Sequence, residues 1–220
     1  MASDYQRVIA IDGPAASGKS SVARELARRL GFVYVNSGAM YRAVTWHVLE
    51  KGIDPNDSES IIQLVQTAPL RCELVRDRSR IFVGDVDPGP YLREDRVNDN
   101  VSQVSTVPEV RRILVEKMRN YAREHDLVME GRDIGSVVFP ETPFKFYIDA
   151  SPEVRARRRA AEGQRDEIAT RDRVDSSRRS SPLVIAEDAL VIDSSNLTID
   201  GVVGEIIGRL KMKGLVPPIA

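Results

Sequence analysis

Residues 13–20 read GPAASGKS, a complete match to the pattern GxxxxGK[ST]. Directly before it, Arg7 to Asp12 (RVIAID) is a short, β-branched apolar run that stops at Gly13, which predicts a buried strand. Directly after it, Val22, Leu26, Ala27 and Leu30 recur at helical spacing and Gly31 supplies the stop. Strand, glycine loop and helix are the context this motif requires. The glycines let the backbone fold around a phosphate with its N–H groups pointing inward, and the helix N-terminus adds favourable dipole character. Gly13, Pro14, Ala15, Ala16, Ser17 and Gly18 then form the cradle, and Lys19, Ser20 and Ser21 open the helix. Lys19 is expected to reach the terminal phosphates of ATP, and Ser20 to offer its hydroxyl to a Mg²⁺ ion bridging them.

Working outward, Phe32 to Asn36 predicts a second strand and Ser37 to Leu49 a second helix. This βαβα opening implies parallel strands covered by helices, with binding sites at the strands' carboxyl ends. The rhythm breaks from about 54 to 107, where a short helical stretch (58–66) precedes two β-like runs, 70–75 and 80–83, and a Gly/Pro-rich segment. It resumes with a helix near 108–123, strands at 126–130 and 144–149, and a helix entered through Ser151 and Pro152. A strand at 189–193 and a helix at 199–213 complete the pattern. The expected fold is α/β: a five-stranded parallel sheet flanked by helices, carrying a small α+β insert.

The chain has 220 residues, enough for one principal domain. Apolar residues make up 42% and charged residues 30%, which excludes disordered and collagenous classes. The formal charge is -1, so no global field favours nucleic acid or acidic membranes, and any anion site is local. The basic side chains comprise 26 Arg and 6 Lys, a bias toward the residue suited to bidentate recognition of phosphate. Cys72 is the single cysteine, which precludes an internal disulfide and fits a reducing compartment. No apolar run reaches the roughly 18 residues of a membrane helix, and the first residues lack a secretory pattern, so a cytoplasmic protein is expected. Between Ser151 and Arg179 lie nine Arg and six acids. Those interleaved acids, with aromatics at only 5%, argue against a nucleic-acid surface.

The loop alone does not name a reaction. No NKxD stretch for guanine recognition occurs, and the chain is short for a motor, which favours a small-molecule kinase. Several further segments together resemble the bacterial cytidylate (CMP) kinases. They are IDGPAASGKSS, SGAMYR (37–42), SQV (102–104), GRDIGSVVFP (131–140), DASPEVRARRR (149–159), RDRVDSSR (171–178) and DALVIDSS (188–195). The resemblance runs nearly end to end. It implies a P-loop kinase fold with an NMP-binding insert at about 54–107 and an arginine-rich lid at about 151–182. The core is then 1–53, 108–150 and 183–220, all within one domain spanning 1–220.

The resemblance also implies transfer of a phosphoryl group from ATP to CMP and dCMP. It places Arg42, Arg132 and Arg178 on the acceptor phosphate with Ser37 beside them, and makes them catalytic with Lys19. Ser102, Arg111 and Asp133 fall to the cytosine, whose O2 and N3 acceptors and N4 donor suit an arginine fork and a carboxylate. Arg171 and Asp175 fall to the ribose, and Arg158 and Arg159 to the ATP phosphates. A monomer acting on free nucleotides is expected. Either Asp12 or Asp149, each ending an apolar strand, is an open candidate to assist Mg²⁺. A sister acceptor such as UMP or an alcohol, and a nucleotide-controlled switch, are the competing readings.

Overall fold

A computed structural model describes residues 6–75, 78–161 and 183–215. The chain divides into two compact units, one formed from 1–35 and 119–220 and the other from 36–118.

In the first unit, strand β1 (Val8–Asp12) is buried along its whole length. It pairs in parallel with β5 (Leu127–Gly131) on one side and β6 (Phe144–Asp149) on the other. β6 pairs in parallel with β7 (Leu190–Asp193), and β2 (Val33–Asn36) lies beyond β5, giving the order β2-β5-β1-β6-β7. This is the five-stranded parallel sheet expected from the sequence. The central position of β1 explains its unbroken apolar run, since both faces of a parallel strand are covered. Helix α1 (Lys19–Leu30) packs on the sheet and against the C-terminal helix α7 (Ile199–Met212) through Val22, Leu26 and Leu30. It ends at Gly31, whose positive φ of 65° and N–H bond to the Ala27 carbonyl form a left-handed cap. Helix α6 (Pro152–Ala161) begins just past β6, with the Ser151 carbonyl accepting from Arg155 N–H.

The second unit is built around helix α2 (Ser37–Glu50), which packs on α3 (Ser58–Thr67), the antiparallel hairpin β3 (Leu70–Val75) and β4 (Arg78–Val83) through β4, and α4 (Asp95–Val104). Helix α5 (Pro108–Glu124) begins in this unit and enters the first. The sequence reading foresaw α3 and the hairpin but no helix at 95–104. Its polar composition (DRVNDNVSQV) masked an apolar stripe, Val97, Val101 and Val104, at spacings of four and three that buries fully.

Candidate active site

The glycine loop has the conformation its sequence predicts. Gly13 leaves β1 at φ 151°, and a Cβ there would overlap the Ile148 carbonyl oxygen of neighbouring β6. Gly18 precedes α1 at φ 90°. Ala16 also takes a positive φ, 58°, a strained value for a residue with a Cβ and the kind of strain found where a loop is shaped for a ligand. Lys19 is buried and donates from Nζ to the Pro14 carbonyl at 2.8 Å, across the loop. Ser20 is half-buried in the first turn of α1, and Ser21 is exposed.

Two arginines of α6 lean on this loop. Arg158 donates to the Ser17 carbonyl at 3.2 Å, and also to the hydroxyl (3.0 Å) and carbonyl (2.8 Å) of Ser194, just past β7. Arg155 donates to the Ala15 carbonyl at 3.2 Å. The Ser194 hydroxyl in turn donates to the Ser17 carbonyl at 2.8 Å. Arg159, the other arginine proposed from the sequence, is half-buried in the same helix. Arg155 belongs to the basic helix, 155–159, that the resemblance gives to donor-side charge, but its contact with the loop and the part of Ser194 were not foreseen. The signal was the three-residue spacing of Arg155 and Arg158, which puts both on one helix face.

Beyond β5 the chain enters GRDIGSVV. Arg132 is half-buried and Asp133 buried, and residues Ile134–Val138 form one π-helical turn, with Val138 N–H bonded to the Asp133 carbonyl and Phe139 N–H to that of Ile134. The Asp12 carboxylate closes the start of this turn. It accepts from Ile134 N–H at 2.8 Å and from Gly135 N–H at 2.7 Å. Burial pushes the Asp12 pKa up to about 6, against the lowering effect of those two bonds; Asp133 adds to the rise and Lys19 opposes it. Asp149 instead accepts from its neighbour Ala150 N–H at 2.8 Å.

In the second unit, Asn36 caps α2 by accepting from Ala39 N–H at 2.9 Å, which sets the first turn with Ser37 buried in it. Arg42, one turn on, donates to the Gly38 carbonyl at 3.0 Å and to Asn98 Oδ1 of α4 at 3.3 Å. Asn98 is buried and anchored through its own amide to the Arg93 carbonyl at 2.9 Å. Ser102, half-buried on α4, accepts through its carbonyl from the Ser105 hydroxyl. Arg111 has the sequence context of an exposed helical residue, yet it is only 4% exposed. Its guanidinium carbon lies 5.4 Å from the Tyr41 ring centroid, a cation–π contact, and Nη1 points at the Ser105 carbonyl at 3.5 Å. Arg171, Asp175 and Arg178 lie outside the described residues.

This equipment suits phosphoryl transfer. The glycine loop carries one ammonium and is met by two guanidiniums, the β5 exit presents an arginine beside a buried carboxylate, and α2 and α5 each hold a further arginine in a fixed setting. Among the described residues, no cluster of three or more His, Cys, Asp or Glu is placed to hold a metal. No described helix is long and apolar enough to cross a membrane.

The cytidylate kinase family model matches residues 9–212. A cytidylate kinase of Caldanaerobacter subterraneus subsp. tengcongensis is 44% identical over 214 residues, covering 92% of this chain and 94% of the relative. A cytidylate kinase of Mycobacterium leprae is 42% identical over 218 residues, covering 94% and 96%. Among solved structures, a gluconokinase from Sinorhizobium meliloti 1021 aligns with a TM-score of 0.49 at 13% identity, over 95% of this chain and 94% of that one. With the match spanning nearly the whole chain and carrying both the phosphate loop and the GRDIG turn, the protein belongs to the cytidylate kinase family.

Proposed function

We propose that the chain transfers the γ-phosphoryl group of ATP to CMP, and to dCMP, releasing ADP and the nucleoside diphosphate. An oxygen of the acceptor phosphate attacks the γ-phosphorus in line, and the bond from that phosphorus to the β–γ bridging oxygen breaks, leaving its electron pair on ADP. The attacking oxygen is ionised at neutral pH, so no general base is needed and catalysis rests on positioning and charge neutralisation.

Residues 13–21 hold the ATP phosphates, Lys19 leaves the Pro14 carbonyl for them, and Arg158, Arg159 and Arg155 supply further positive charge. Exchanging a neutral carbonyl for a phosphate oxygen adds the attraction of opposite charges to a hydrogen bond that the ammonium already strengthens. Ser20 is the one protein ligand assigned to Mg²⁺, which supplies charge neutralisation between the phosphates when bound. A lone hydroxyl fits an ion that takes its other ligands from phosphate and water. Arg42 and Arg132, with Arg178, bind the acceptor phosphate next to Ser37. Ser102, Arg111 and Asp133 read the cytosine edge, and Arg171 and Asp175 hold the ribose. Residues 54–107 then enlarge the acceptor-binding region and 151–182 serve as the lid. The protein works as a cytoplasmic monomer on free nucleotides.

The observation that best supports this reading is Arg111, a guanidinium kept almost wholly inside the protein against a tyrosine face. A charge is costly to bury unless it is paired or hydrogen-bonded, and the O2 and N3 acceptors of cytosine suit a guanidinium in that setting. The test is ADP formation from ATP and Mg²⁺ with CMP, dCMP, UMP, AMP, GMP and dTMP offered separately. Turnover confined to CMP and dCMP is expected; preference for another acceptor would remove the base assignments and leave the phosphate-loop roles standing.

A further inference from the structure

We propose that Asp12 is a positioning residue for the acceptor: its carboxylate fixes the turn that carries Arg132 and Asp133, so the strand that ends in the phosphate loop also aims the acceptor-binding pair. Nothing in the phosphate-loop pattern requires an acid at this place, and Asp12 was otherwise a candidate for assisting Mg²⁺. Its two oxygens accept from consecutive backbone donors, Ile134 N–H on Oδ1 and Gly135 N–H on Oδ2. The first N–H groups of a helical turn have no acceptor within the turn, so the orientation of these two peptide planes depends on what is placed before them. One carboxylate satisfies both. The peptide linking Asp133 to Ile134 is thereby held, and with it the backbone of Asp133 at φ −145°, ψ 24°.

The setting leaves little freedom. Asp12 is 5% exposed, its charge is faced by those of Asp133 and Lys19, and the stem of Lys145 packs over Gly135. A Cβ on Gly135 would stand 3.1 Å from Lys145 Cγ, 3.2 Å from its Cδ and 3.4 Å from Asp12 Oδ2. An asparagine at position 12 offers one acceptor oxygen and sets an NH₂ group against the other N–H, so the turn must tilt.

The proposal rests on the roles given above to Arg132 and Asp133, and the experiment separates the two. Steady-state constants for CMP, UMP and ATP are measured for Asp12→Asn, Asp133→Asn and Gly135→Ala, with thermal melting of each. Asp12→Asn is expected to raise KM for CMP at least tenfold, hold KM for ATP within twofold, and lower the CMP-over-UMP preference in the same direction as Asp133→Asn. Gly135→Ala, which crowds the same turn and keeps both carboxylate oxygens in place as acceptors, is expected to shift the same two ratios by a smaller factor. An Asp12→Asn protein whose constants for CMP and ATP change by one common factor, with the base preference intact, has lost stability alone and overturns the proposal. If Asp133→Asn leaves the base preference unchanged while Asp12→Asn still raises KM for CMP selectively, the cytosine assignment fails and the positioning role stands through Arg132. Should Asp12→Asn not fold, Gly135→Ala decides: unchanged ratios there reject the proposal.

Discussion

The role proposed for Lys19 makes it matter to rate and not to fold. Its ammonium is buried against the Pro14 carbonyl, inside a loop whose shape is set by Gly13 and Gly18. The helix it opens is held by Val22, Leu26 and Leu30, on which Lys19 has no bearing. Removing one preorganised donor from a developing charge costs about 10²–10³ in rate. Lys19→Ala is therefore expected to lower kcat by at least that factor while the melting temperature moves by only a few degrees; near-normal turnover would remove its assigned role. Asn98 is the quieter counterpart. It gives Arg42 a side-chain acceptor at 3.3 Å and is itself tied to the Arg93 carbonyl. A net hydrogen bond is worth roughly 1 kcal/mol, about fivefold in an equilibrium constant. Asn98→Ala should raise KM for CMP by about that factor and leave KM for ATP unchanged, whereas an equal rise in both would show a general loss of order.

At the scale of elements, legibility followed periodicity. Strand β1, the glycine loop and α1 were readable because a buried parallel strand is an unbroken apolar run and an amphipathic helix repeats every three to four residues. The hairpin β3–β4 was readable for the same reason, within two residues at β4. Helix α4 was hidden because seven of its ten residues are polar, and its three valines gain meaning only once α2 is there to receive them. The π-helical turn had no signature at all: GRDIGSVV carries neither helical nor strand spacing, and its conformation comes from a carboxylate 122 residues away in the chain. The site divides in the same way. Of the residues proposed for the site, 13–20 rest on their own spacing, and Arg42, Ser102, Arg111, Arg132 and Asp133 on resemblance alone. Ser194, Asn98 and the duty of Asp12 arise from contacts between elements distant in sequence, which no local pattern encodes, while for Arg155 the helical spacing from Arg158 gave its face and only the fold gave its contact.

At the scale of the whole molecule, acid pH should act on stability and on activity with opposite signs through the same residue. The native state holds the Asp12 proton at about pH 6, against an ordinary value of 3.8, so it binds that proton more tightly than the unfolded chain. A raised carboxyl pKa favours folding fully below the unfolded value, and that contribution is lost as pH rises through the folded one. Between pH 7 and 4 Asp12 should therefore make the wild-type protein more stable relative to Asp12→Asn, by at most about 3 kcal/mol, taking 1.36 kcal/mol per unit. Carboxylates held low act in the reverse sense. Asp126, where the bonds from Arg7 outweigh the opposing effect of burial, and Asp188, bonded to Lys145, contribute stability that is lost as pH falls through their depressed values. Those losses are common to both proteins and cancel in the difference, so denaturant unfolding of the pair at pH 4, 5, 6 and 7 isolates Asp12. Activity should run the other way, because a protonated Asp12 keeps only one good acceptor for two N–H groups and lets the Arg132–Asp133 turn relax. The acceptor phosphate also titrates near pH 6, so the wild-type profile by itself is ambiguous. The informative quantity is the ratio of wild-type to Asp12→Asn kcat/KM for CMP, expected to fall toward one as pH drops from 7 to 5. A ratio that stays constant, with a stability difference that also stays constant, would mean that Asp12 keeps its charge throughout and that its proton governs neither property.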